Sequence, residues 1–235
     1  MTKPAISVAF FDPAHDLSGS ARAGVSLLFE AKRSTAFPTG PELRRDRKRW
    51  HASVADAFTV ELEPVADPVE LAGATTTLCR ARGSASGRKI DALGTVTETH
   101  VPPAWAELDA LRSIAAVFGT DLALFAVAQR PRGAQAHDTD VVEAVLVEDG
   151  RARPVEEARL SAIYDGEGRQ RAAGLELWLP DEDFPRRAFG TVSAGTTLQL
   201  EHLRVNAAAF SWRMEGRSGA GSYDLVVRDL PPEAA

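Results

Sequence analysis

Glu98 and His100 are the pair best placed to do chemistry in this chain. They lie in the run Thr97-Glu98-Thr99-His100-Val101-Pro102-Pro103-Ala104-Trp105. In a strand, a spacing of two puts both side chains on one face. A glutamate and a histidine facing an apolar cavity together have the means to move a proton or polarise a ligand near neutral pH. On an open edge the same pair is merely solvated. Glu98 and His100 are therefore the candidate catalytic residues. The tryptophans Trp105, Trp178 and Trp212 are candidate ligand contacts, although rings in strands serve equally well as core.

A second polar cluster is Asp12-Pro13-Ala14-His15-Asp16. A carboxylate beside a histidine suits acid–base work, but Asp and Pro also make an ordinary turn. The single cysteine, Cys79, forms no intramolecular disulfide and has no histidine near it in sequence to activate it. The histidines His15, His51, His100, His137 and His202 are not paired at metal-ligand spacing, so no local metal site is expected. The phosphate-binding glycine motifs are absent, as are His-Glu-x-x-His, Cys-x-x-Cys and Gly-x-Ser-x-Gly. No cofactor is expected. The glycine-rich run Gly216 to Gly221 opens no helix and reads as a hairpin loop.

The elements that must hold these residues are mostly strands. Ala23, Val25, Leu27 and Phe29 share one face at period two, as do Phe58, Val60 and Leu62, and later Leu175, Leu177 and Leu179. Asp-Gly turns at Asp149-Gly150 and Asp165-Gly166 mark hairpins. Pro38 to Arg49, with its basic run Arg44, Arg45, Arg47, Lys48 and Arg49, reads as an exposed loop. One segment differs. From Pro103 to Phe118, Trp105, Leu108, Leu111, Ile114, Ala115 and Phe118 recur at three- and four-residue spacing, between Pro102-Pro103 and Gly119. That spacing predicts an amphipathic helix near 103–118. Such a helix would lie as a lid over one end of the β structure, with Trp105 turned inward beside His100.

The chain has 235 residues, 44% of them hydrophobic, enough for a sizeable core. A division into 1–94 and 95–235, each half made of strands, competes with one continuous barrel or sandwich. The net charge of -6 argues against broad nucleic-acid or anionic-membrane binding. The N-terminus lacks a signal-peptide stretch, and no run nears the roughly 20 apolar residues that span a bilayer. A cytoplasmic location is expected, and the Ala, Arg and Gly bias reads as bacterial. Oligomeric state stays open.

Several short motifs resemble the carotenoid 1,2-hydratases (hydroxyneurosporene synthases) and the related tocopherol cyclases. They are Asp12 to Gly19, Gly94 to Glu98, Arg130-Pro131-Arg132-Gly133, Val147 to Gly150 and Trp212 to Arg217. The resemblance implies an all-β fold of antiparallel lipocalin-like β-barrel or sandwich halves, here with one inserted helix. It also implies an apolar cavity, and it adds Arg130 to the candidate ligand contacts. Where the family follows its glutamate strand with a tryptophan-glycine-arginine segment, this chain has His100-Val101-Pro102-Pro103. No catalytic residue is carried over from the family.

The expected function is binding of a small, largely apolar molecule, isoprenoid- or polyketide-like, in a β-barrel cavity. Cofactor-free hydration, cyclisation or isomerisation could follow. The alternatives are a non-catalytic carrier, or an interaction module docking through the 103–118 helix. Replacing Glu98 and His100 together separates enzyme from carrier, because only an enzyme has turnover to lose.

Overall fold

The structure is a computed structural model, and it describes residues 3–134 and 140–228. His137 lies outside the described residues. The regular structure of the described residues is almost entirely antiparallel β. The first sheet is built from β1 (Ala5–Asp12), β2 (Leu17–Arg22), β3 (Val25–Glu30), β4 (Arg33–Phe37), β5 (Glu42–Asp46), β6 (Arg49–Val54), β7 (Phe58–Pro64), β8 (Val69–Leu71), β9 (Ala74–Ala85) and β10 (Arg88–Thr99). The second is built from β11 (Leu108–Val117), β12 (Leu122–Pro131), β13 (Val141–Glu148), β14 (Arg151–Pro154), β15 (Glu157–Tyr164), β16 (Gln170–Trp178), β17 (Arg186–Leu200), β18 (Leu203–Met214) and β19 (Arg217–Arg228).

The two sheets repeat one topology. The first runs β4-β3-β2-β1-β10-β9-β7-β6-β5, with β8 pairing off β9; the second runs β14-β13-β12-β11-β19-β18-β17-β16-β15. In each, the first strand pairs with the last near the middle of the sheet. Both sheets curl into half-barrels, an arrangement consistent with a lipocalin-like barrel. The change of sheet falls between Thr99 and Leu108, and β10 runs through the division expected at residue 95.

Strand alternation gives each sheet its own interior. In the first, Phe10, Phe58, Leu62, Cys79 and Ile90 are buried together, with Phe10 edge-on to Phe58. In the second, Leu124, Leu146, Leu175, Phe210, Trp212 and Tyr223 fill the curl. The edges of the second sheet approach one another where β13 lies against β15 without pairing. Charge ties this seam together. Arg153 donates to Glu148 and Asp181, each at 2.6 Å, and Arg186 donates to Glu148 at 2.8 Å and to Glu182.

Three expectations are corrected. The helix over 103–118 does not form. Leu108–Val117 is β11, a central strand paired to both β12 and β19. Among the described residues, the single helical piece is a 3-10 turn at Pro13–His15. With no helix there is neither lid nor docking helix. The apolar residues fall at mixed spacing because both faces of β11 are covered. Ala110, Ile114 and Ala116 point into the second sheet's own curl, while Leu111 and Ala115 point toward the first sheet. The basic run is not a loop: it forms β5, a turn at Arg47-Lys48 and the start of β6. Most of Gly216 to Gly221 is strand β19. There a Cβ on Gly219 or Gly221 would strike the Val117 or Ala115 carbonyl, so glycine is required by the close approach of β11.

Candidate functional site

Each central strand has a second face, and these faces meet. On β1, Val8 and Phe10 point into the first interior, and Ser7, Ala9 and Phe11 point out toward the second sheet. On β10, Val96 points in, and Thr95, Thr97 and Thr99 point out. On β19, Tyr223 and Leu225 belong to the second interior, and Ser222 and Asp224 look toward the first sheet. The sheets therefore pack back to back. One apolar cluster joins them through Phe11, Val69, Leu78, Val117, Phe125 and Val147. Another does so through Leu27, Phe29, Ala194, Val205 and Ala207.

A cleft of about 700 Å³ lies between the sheets, bordered by both clusters. Its apolar wall includes Phe29, Leu111, Phe125 and Val127. Its polar wall is a set of uncharged hydroxyls that includes Ser7, Ser20, Thr97, Ser113 and Ser222. Thr97 and Thr76 share a hydrogen bond of 3.0 Å across adjacent strands. The charges that line the cleft are Arg22 and Asp224, 3.6 Å apart and carried by different sheets. That separation exceeds a charge-assisted hydrogen bond. Asp224 is about a quarter exposed; the desolvation of its carboxyl in the seam raises its pKa from the ordinary value, against the pull of Arg22 and a backbone N–H bond from Ala208. A carboxyl so placed is able to hold and deliver a proton beside an apolar surface. A smaller pocket of about 350 Å³ lies at the other end of the seam, lined in part by Asp12, Leu93, Val117 and Phe118. At its margin the buried Asp12 carboxylate meets His15 Nδ1 at 2.8 Å.

The residues expected to form a site lie apart. Glu98 sits on the face of β10 opposite Thr97 and Thr99, away from the cleft, and is 3.6 Å from Arg45. His100 is exposed just past β10, with Nε2 at 3.0 Å from the Thr75 hydroxyl. Thr75 is the cross-strand neighbour of Glu98 and donates to Glu70 at 2.6 Å. Glu98 and His100 thus flank one threonine at the rim of the first sheet, in a solvated polar chain and not in an apolar cavity. Trp105 is half-buried in the turn between the sheets, where its carbonyl accepts from Arg228 at 3.4 Å. Trp178 lies outside the second interior with the Arg159 guanidinium 4.7 Å above its ring. Trp212 is core. The structure brings none of these tryptophans together.

Arg130 belongs to a polar group that the sequence reading missed. Its guanidinium donates to Asp140 at 2.9 Å. Arg112, 4% exposed, also donates to Asp140, and to the Tyr164 hydroxyl at 3.0 Å. Tyr164 in turn lies 3.0 Å from the Tyr223 hydroxyl, whose proton burial holds on far above the usual phenol range. Burial opposes the Arg112 charge, yet its neighbours keep it firmly protonated. The cleft residues were missed as well. Their signal was the alternation Thr95-Thr97-Thr99 and Ser18-Ser20, a polar face with hydroxyls and no charges.

No family model and no curated protein matches the chain. Among solved structures, the chain is similar to the crystal structure of a protein from Nitrosomonas europaea described as a "putative AttH". The TM-score is 0.59 at 12% identity, covering 95% of this chain and 92% of that one. The likeness defines a shared fold over nearly the whole length: an all-β protein of two curled antiparallel sheets.

Proposed function

We propose that the protein binds a small, largely apolar molecule with one polar end, held between the two sheets. The cleft carries this reading: its volume suits a small-molecule ligand, its walls are mostly apolar, and its hydroxyls and one ion pair supply the few orienting polar groups such sites use. Each curl has its own apolar core, and the cleft lies outside both, in the seam between the sheets. The resemblance to carotenoid hydratases and tocopherol cyclases is in keeping with an isoprenoid-type ligand. A catalytic reading has one observation in its favour, the place of the Asp224 carboxyl in the cleft beside apolar walls. An acid there is suited to protonating an alkene ahead of hydration or cyclisation; Glu98 and His100 face elsewhere.

A thermal-shift screen of isoprenoid and polyketide compounds tests the binding reading. Hits should raise the melting temperature saturably, and Ser113→Trp, which fills the cleft, should abolish the shift. If no compound shifts the wild type, or if Ser113→Trp leaves the hits intact, the cleft is not the ligand site. Mass spectrometry of the hits then asks for gain of water or isomerisation. In an enzyme Asp224→Asn should cut turnover by far more than it weakens affinity, whereas a carrier shows no turnover to begin with.

A further inference from the structure

Phe11 is the one residue that lines both the cleft and the smaller pocket. The two spaces abut along four neighbouring strands. On β1 the lining passes from Ala9 to Phe11, on β10 from Thr95 to Leu93, on β11 from Ala115 to Val117, and on β19 from Ser222 to Ala220. Each is a single same-face step, about 6–7 Å along a strand. Along these strands the two linings are adjacent, and Phe11 is the side chain they share.

We propose that Phe11 is a length gauge: one channel runs along the seam between the sheets, and the Phe11 ring closes it at the end of the cleft, fixing the longest ligand accepted. The inference rests on the binding reading of the cleft and gives it an orientation. From Asp224 through Ser222 to Ala220 there are two same-face steps, about 13 Å. A bound amphiphile lies with its polar end at Arg22 and Asp224 and its apolar end against Phe11. Phe11 is 4% exposed and belongs to the cluster that joins the sheets, so its ring is held in place and does not swing in solvent.

The probe is the homologous series of straight-chain carboxylic acids from octanoic to stearic, titrated calorimetrically into the full chain. Wild-type affinity should rise with length and then fall once the chain outgrows the cleft. Phe11→Ala should move that fall to longer acids, tightening the first excluded acid by about tenfold or more while acids that already fit change by about twofold at most. Phe11→Leu, which keeps most of the packing, should move the limit in the same direction by less, and it decides the matter if Phe11→Ala does not fold. A folded Phe11 variant with the wild-type limit, or a wild type with no length limit, overturns the gauge and leaves the binding reading standing. A wild type that binds no acid, and none of the screened compounds either, overturns both.

Discussion

The two sheets share a strand order but not the chemistry of their interiors. The first curl's core cluster is hydrocarbon and one thiol, and the buried Asp12 and Ser26 on its strands are satisfied locally, by His15 and by the Thr39 carbonyl. The second encloses Arg112, Gln170 and Asn206 among its apolar residues. Gln170 donates to the Asn206 and Tyr223 carbonyls, each at 2.9 Å, and Arg112 shares Asp140 with Arg130. An apolar interior tolerates change in proportion to the volume lost. A polar one penalises the loss of a single partner, because the groups left behind stay desolvated.

The largest test of this contrast is Asp140→Ala. It leaves Arg112 buried opposite a missing carboxylate and should cost about 3–5 kcal/mol in urea unfolding. If it costs no more than an exposed pair, the second interior is not the brittle one. The counterpart in the first interior is Cys79. Burial pushes its thiol from 9.0 up to about 12. Because the folded state holds the proton more tightly, stability is intact below about pH 9 and falls as pH rises toward about 12, by about 4 kcal/mol in all. Unfolding curves of wild type and Cys79→Ala should diverge over that range; parallel curves would mean that the first interior admits water. The smallest effect concerns the seam. Arg186, with Arg153, holds the Glu148 and Glu182 carboxyls below their usual range. Their contribution is present at neutral pH and lost as pH falls through the carboxylate range. Arg186→Gln should cost about 1 kcal/mol at neutral pH, less in high salt. An effect of several kcal/mol that is insensitive to salt would make the seam part of the core.

Much of the fold was legible. Phe58, Val60 and Leu62 alternate in sequence and are buried on one face, as are Leu175 and Leu177. β11 was misread for a physical reason: a strand covered on both faces loses its period-two signature, and its apolar residues then imitate helical spacing. The candidate site was less legible still. The cleft draws on β1, β2, β10, β11 and β19, and no local motif spans strands so far apart in sequence. Serine and threonine at period two look like a wet face, and on β10 only the lack of charge among Thr95, Thr97 and Thr99 marks a face that another sheet covers. Arg112 sat within the segment read as a helix, far in sequence from Asp140, so nothing local paired them.

The pairing of β11 with β19 has a consequence for how the chain is made. β19, made after every other strand of its sheet, occupies the middle of that sheet, not an edge. Until Arg217 to Arg228 emerge, β11 and β18 each hold out an unmatched ladder of backbone groups, the kind of surface on which nascent chains stick to one another. A chain cut short before Arg217 loses the keystone of an arch rather than its outermost stone.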